Sequence, residues 1–233
     1  MLGPLMPASS ALSTQRSASE MGDILARTTR YSTLLLLLTG LPLIVCGFPI
    51  LRLWVGSVYA HNSLEYLRIL VLANIIRSLC APYATMIAAT GRQGAATITA
   101  IVEAVVNLSS SVYLASRFGA IGVAFGTLLG SFVSVIFHFA VTMHFTQSTL
   151  AVSRTRLFLT GLSRPAIVAI PSILFFPLWW SCTWINSGAL IVVVWSICTI
   201  LFAWFGSLNR VERTKLAHFI QDRLMPSMGP LMK

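Results

Sequence analysis

Two charged side chains sit near the middle of neighbouring apolar runs, Arg77 within Tyr66–Ala89 and Glu103 within Gly94–Ala115. A charge at bilayer depth costs roughly 2.5–3.5 kcal/mol on insertion scales. Such groups persist where they face protein or water, so they mark an interior polar path. Arg77 can meet a phosphate or a sugar, or it can be half of a structural ion pair. Glu103 can be the other half, or it can couple transport to an ion by carrying H+ or ligating Na+. Asn74 precedes Arg77 by three residues and Asn107 follows Glu103 by four, so each is placed to share its neighbour's helix face. The residues alone leave these roles open. His138, between Phe137 and Phe139, reads as a packed histidine more readily than as a proton relay.

Positioning such groups requires membrane helices. The chain has 233 residues, is 56% hydrophobic and is only 9% charged, with a mean hydropathy of +0.83. A soluble domain carries about 25% charged residues. The apolar residues fall in continuous runs rather than stripes, which predicts an all-α, polytopic membrane helix bundle. Six spans are expected: Tyr31–Val55, Tyr66–Ala89, Gly94–Ala115, Gly119–Phe145, Pro165–Ser181 and Ile185–Phe205. Residues 1–30 form a helical lead-in, 31–206 the bundle and 207–233 a basic amphipathic tail. The lead-in lacks the apolar core of a signal peptide, so insertion is expected to rely on the first span.

The net charge of +10 fits this topology rather than nucleic acid, because no basic stripe interleaves with aromatics. With both termini in the cytoplasm, 12 of the 16 basic residues fall on the cytoplasmic side, among them Arg27, Arg30, Arg92, Arg154, Arg156 and Arg164. Cys46, Cys80, Cys182 and Cys198 have no metal-ligand or disulfide spacing. Only six acidic residues are present and no two make a compact motif, so neither a metal site nor an enzyme is expected.

Pro42, Pro49 and Pro82 predict kinks. Gly122, Gly126 and Gly130 recur every four residues and predict a helix-packing face. Thr90–Gln93 is a short connection, so the second and third spans are expected to pack antiparallel. At about 1.5 Å per residue, Arg77 then lies ~18 Å and Glu103 ~14 Å from their shared end. Long side chains can bridge that offset.

Four stretches in order resemble a known family. They are Pro7-Ala-Ser-Ser-Ala-Leu with the polar helix running to Arg30-Tyr31; Gly40-Leu-Pro42 leading to Ile50-Leu-Arg-Leu-Trp-Val-Gly56-Ser-Val-Tyr59; Leu67-Arg-Ile-Leu70 with Ala89-Thr-Gly-Arg92; and Glu103-Ala-Val-Val-Asn107-Leu with Arg117-Phe-Gly119-Ala-Ile-Gly122-Val-Ala-Phe-Gly126-Thr. From about residue 5 to residue 145 the chain resembles the C-terminal half of the polysaccharide and lipid-linked oligosaccharide flippases, relatives of the MATE-like multidrug exporters. The resemblance implies one six-helix lobe of a two-lobe transporter in the cytoplasmic (inner) membrane, with an N-terminal lobe as its partner. It implies a cargo of oligosaccharide on a polyprenyl pyrophosphate, moved by alternating access. It implies no cofactor, and a coupling ion whose identity stays open. A truncated, non-transporting remnant, a structural membrane subunit and a membrane enzyme acting on lipid-linked sugars are the competing readings.

Overall fold

The computed structural model describes residues 18–148, 153–174, 188–207 and 213–214. All regular structure among them is helical, with no strand. In chain order the main helices are α1 (Ala18–Val45), α2 (Gly47–Val55), α3 (Ser57–Ser78), α4 (Ala81–Ala89), α5 (Gln93–Phe118) and α6 (Ala120–Phe137). The π-helical segment His138–Thr142 and the turn Met143–Phe145 extend α6. Short pieces follow at Arg154–Arg156, Leu157–Ser163 (again π-helical) and Arg164–Ala166, and then α7 (Gly188–Phe202) with a π-helical end, Ala203–Ser207.

Four stretches are long and apolar enough to cross a membrane: Ser19–Val45, Ser57–Ala89, Gln93–Phe118 and Ala120–Phe145. The third and fourth match their expected boundaries closely. The first is displaced toward the N-terminus relative to Tyr31–Val55, because α1 is continuous through position 30 and the chain breaks at Cys46. Leu53 and Trp54, expected in the first span, lie in the separate α2 and are highly exposed. The second begins earlier than Tyr66 and bends where proline dictates. Pro82 has no N–H for the Ser78 carbonyl, and Leu79 N–H reaches back only three residues, to Ile76 O at 3.2 Å. Positions 175–181 of the fifth expected span and 185–187 of the sixth lie outside the described residues, as do all of 1–17 and nearly all of the tail.

Packing places α6 at the centre of one half of the bundle, with α5 on one side and α3 on another. The second and third spans therefore do not lie side by side along their lengths. They meet near the connecting turn, where α4 packs on α5, and α6 intervenes beyond it. Gly119 reverses the chain between α5 and α6 with φ at +67°, a conformation that a side chain would strain. The other half is α1, packed against α3, α4 and the segment Leu157–Ser163. Leu34, Leu37, Leu41 and Val45 of α1 form a core with Ile75, Val168 and Trp195. Near the other end of α1, Met21 and Leu25 pack with Tyr83, Met86, Met143 and Leu157.

Candidate functional site: a polar column along one helix

Arg77 and Glu103 meet. Arg77 Nη1 lies 3.6 Å from Glu103 Oε1, although their helices are separated by α6 for most of their length. The long guanidinium arm spans the gap. The pair is asymmetric, with the Glu103 side chain 16% exposed and that of Arg77 54% exposed. Glu103 is thus lodged among helices, while much of the cation remains open on a face of α3. An arginine half open at mid-span does not suit hydrocarbon, so that face belongs against water, a polar ligand or further protein.

The neighbouring asparagines do not join this pair. Asn74 is exposed and, with Thr39, Gly40 and Leu43 of α1 and Val71 of α3, lines a cavity of about 230 Å³ between those helices. Asn107 turns toward α6. It accepts a hydrogen bond from Ser111 Oγ at 3.0 Å, and its backbone and Cβ face Gly130. A four-residue step turns a helix by about 40° beyond a full turn, and that offset moves Asn107 from the Arg77 side to the α6 side.

Gly122, Gly126 and Gly130 are all buried, and each meets α5. A methyl group on Gly122 would come within 2.6 Å of Ala115 N, on Gly126 within 2.5 Å of Ser111 Cα, and on Gly130 within 2.8 Å of Asn107 Cβ. Ser110 Oγ donates to Gly126 O at 3.2 Å and Ser111 Oγ to Val123 O at 3.3 Å. Two backbones in such close approach, laced by serine hydroxyls, form a dry seam of the small-residue kind. The serines that complement the glycines were not anticipated from the sequence, although three in a row at 109–111 opposite a glycine ladder is the available signal.

The ladder continues past its glycines. Positions 122, 126, 130, 134, 138, 142 and 146 read Gly, Gly, Gly, Ser, His, Thr, Thr, and every one is buried. A strict spacing of four drifts around an α-helix; the π-helical turn at 138–142, where Met143 N–H reaches back five residues to His138 O, takes up part of that drift. The antiparallel register set by Gly130 against Asn107 brings Ser134 level with Glu103. Beyond it, Thr142 Oγ1 and Thr99 Oγ1 are 2.8 Å apart, Thr146 Oγ1 donates to Thr142 O at 2.8 Å, and Tyr83 Oη hydrogen-bonds Thr146 Oγ1. The Tyr83 ring meets His138 edge-on at 5.8 Å. Arg92 Nη1 donates to Phe145 O at 3.2 Å and closes this end. One face of α6 is therefore glycine and dry toward Gly119, and polar from Ser134 to Thr146.

Two other basic residues are held by the protein itself. Arg68 donates from Nε to Ile44 O at 3.1 Å, where the end of α1 leaves carbonyls without helical partners. Arg30, counted among cytoplasmic charges, is buried within α1 with its guanidinium over the Tyr31 ring. Asp23 and Arg156 form an exposed ion pair at 2.6 Å that ties α1 to the basic segment after α6. No group of three His, Cys, Asp or Glu side chains able to hold a metal occurs among the described residues. No family model, curated protein or solved structure matches the chain.

Proposed function

We propose that the chain is one lobe of a flippase that carries polyprenyl-pyrophosphate-linked oligosaccharide across the cytoplasmic membrane by alternating access. The carrying observation is the half-open Arg77, held at 3.6 Å by the lodged carboxylate of Glu103. Such a cargo poses two demands. Its sugars and pyrophosphate are costly in hydrocarbon, whereas its lipid tail belongs there. A polar face at mid-span, open sideways toward a second lobe, meets both. A guanidinium matches phosphate oxygens with paired N–H donors. Glu103 keeps that guanidinium neutralised and aimed while no cargo is present. Rocking of this lobe against its partner would then expose the site to each side in turn. Six spans with both termini in the cytoplasm belong to this reading, and the order of motifs from residue 5 to residue 145 supports it.

Binding tests it. The full chain in lipid nanodiscs is titrated with a polyprenyl pyrophosphate and with the corresponding polyprenol. The pyrophosphate binds and the alcohol does not, and Arg77→Ala removes the difference while Arg77→Lys keeps part of it. Equal binding of both lipids to the wild type overturns the reading.

A further inference from the structure

Arg92, Arg154 and Arg156 lie at the Phe145 end of α6, and they are not alike. Arg156 is paired with Asp23 at 2.6 Å. Arg92 and Arg154 meet no carboxylate among the described residues. Both are exposed, and each is held by a backbone carbonyl instead: Arg92 Nη1 donates to Phe145 O at 3.2 Å and Arg154 Nη2 to Ala140 O at 3.4 Å. Carbonyls near the C-terminal end of a helix attract a cation and orient it, but they leave its unit charge in place. A guanidinium has five N–H donors, so most of those on each arginine remain for another acceptor. Two cations without a counter-charge are thus fixed at one end of the apolar stretch Ala120–Phe145.

From Ala140 back toward Gly119, the outward face of α6 is apolar. Leu129, Phe132, Ile136 and Ala140 are all exposed, and steps of three and four residues keep them on one face. The glycine seam occupies the buried face. Leu129 and Ala140 are eleven residues apart, or ~16 Å at 1.5 Å per residue, which is close to half of the ~30 Å hydrocarbon core. The stripe therefore has the length of one leaflet, and Arg154 is bonded to the residue at its head.

We propose that this end of α6 is a binding site for one anionic phospholipid. Arg154 takes the headgroup phosphate with its remaining N–H donors, Arg92 adds a second positive charge, and an acyl chain lies along Ile136, Phe132 and Leu129. Two cations with no carboxylate between them select a headgroup of net negative charge, such as phosphatidylglycerol. A zwitterionic headgroup brings a cation of its own that offsets its phosphate. A soluble phosphate has no use for the stripe, and a neutral lipid has none for the arginines. The bound lipid joins the start of α5 at Arg92, the end of α6 and the segment at Arg154. The site uses neither Arg77 nor the cargo.

The test contains no polyprenyl lipid, so its failure leaves the cargo reading standing. The full chain in detergent is titrated with phosphatidylglycerol and with phosphatidylcholine of the same acyl chains, and bound lipid is counted by native mass spectrometry. The wild type should take one phosphatidylglycerol in preference to phosphatidylcholine, and an equal concentration of inorganic phosphate should not displace it. Arg92→Gln/Arg154→Gln keeps an N–H donor for each carbonyl and should weaken that site about thirtyfold, roughly fivefold per arginine. Arg117→Gln, which removes an exposed arginine at the other end of α5, should leave it unchanged. The proposal is overturned by equal binding of the two lipids to the wild type, by displacement with phosphate, by wild-type affinity in the double variant, or by an equal loss in Arg117→Gln. If the double variant does not fold, wild-type affinity in Arg154→Gln alone overturns it.

Discussion

Arg77 and Glu103 form a charge pair whose two halves have unequal freedom. Removing Arg77 leaves a lodged carboxylate without its cation, whereas removing both charges leaves neither. Arg77→Ala should therefore lower the thermal unfolding midpoint in detergent more than the double variant Arg77→Ala/Glu103→Gln does. Circular dichroism checks the order. Equal midpoints would mean that the pair does not matter to the fold. The pair was legible in the sequence because mid-span charges at similar depth have few solutions. The fates of Asn74 and Asn107 were not. Spacing of three or four puts a residue on the same broad face, but the face is divided among neighbours whose positions come only with tertiary structure. Arg30 makes the same point: its place near an expected span boundary gave no sign that it would be buried within a helix that begins twelve residues earlier, at Ala18.

At the scale of elements, the α5–α6 seam decides how the site is held. A Cβ at Gly126 meets the Ser111 backbone, which cannot swing away as a side-chain tip can. Gly126→Ala should cost about 1–3 kcal/mol and lower the unfolding midpoint. Gly94→Ala is the control, since nothing lies within 4 Å of a methyl group there and the midpoint should hold or rise slightly. If the two substitutions behave alike, the close approach is not what holds the helices. The glycine ladder was legible from its spacing. Its continuation through Ser134, His138, Thr142 and Thr146 was equally visible in the spacing of four, but a regular α-helix would carry those positions off the face. The π-helical turn that helps keep them there has no signature in these residues. The insertion of α6 between α3 and α5 was likewise hidden, because a short turn at Thr90–Gln93 implies adjacent helices and says nothing about a third one entering between them.

For the whole molecule, the four apolar helices place the turn near Gln93 and the reversal near Gly119 at opposite ends of the same spans. Single cysteines at Gln93 and Ser116, both exposed, are introduced after Cys46, Cys80, Cys182 and Cys198 are replaced. An impermeant thiol reagent should label Gln93→Cys from the cytoplasmic side alone and Ser116→Cys from the opposite side alone. Labelling of both from one side would remove the topology on which the two-lobe reading depends. The all-helical membrane character was legible from hydropathy. The boundaries of the first two spans were not, since the break at Cys46 and the long α1 depend on packing against α3 and Leu157–Ser163 rather than on apolar content.

The central claim is that Glu103 and a phosphate group compete for Arg77, and one comparison bears on it most directly. Affinity for a polyprenyl pyrophosphate is measured in nanodiscs for the wild type, Glu103→Gln and Arg77→Ala. Neutralising the competing carboxylate should tighten binding by about tenfold, or 1.4 kcal/mol, and removing the guanidinium should abolish the preference over polyprenol. Unchanged or weaker binding in a folded Glu103→Gln variant would contradict the account.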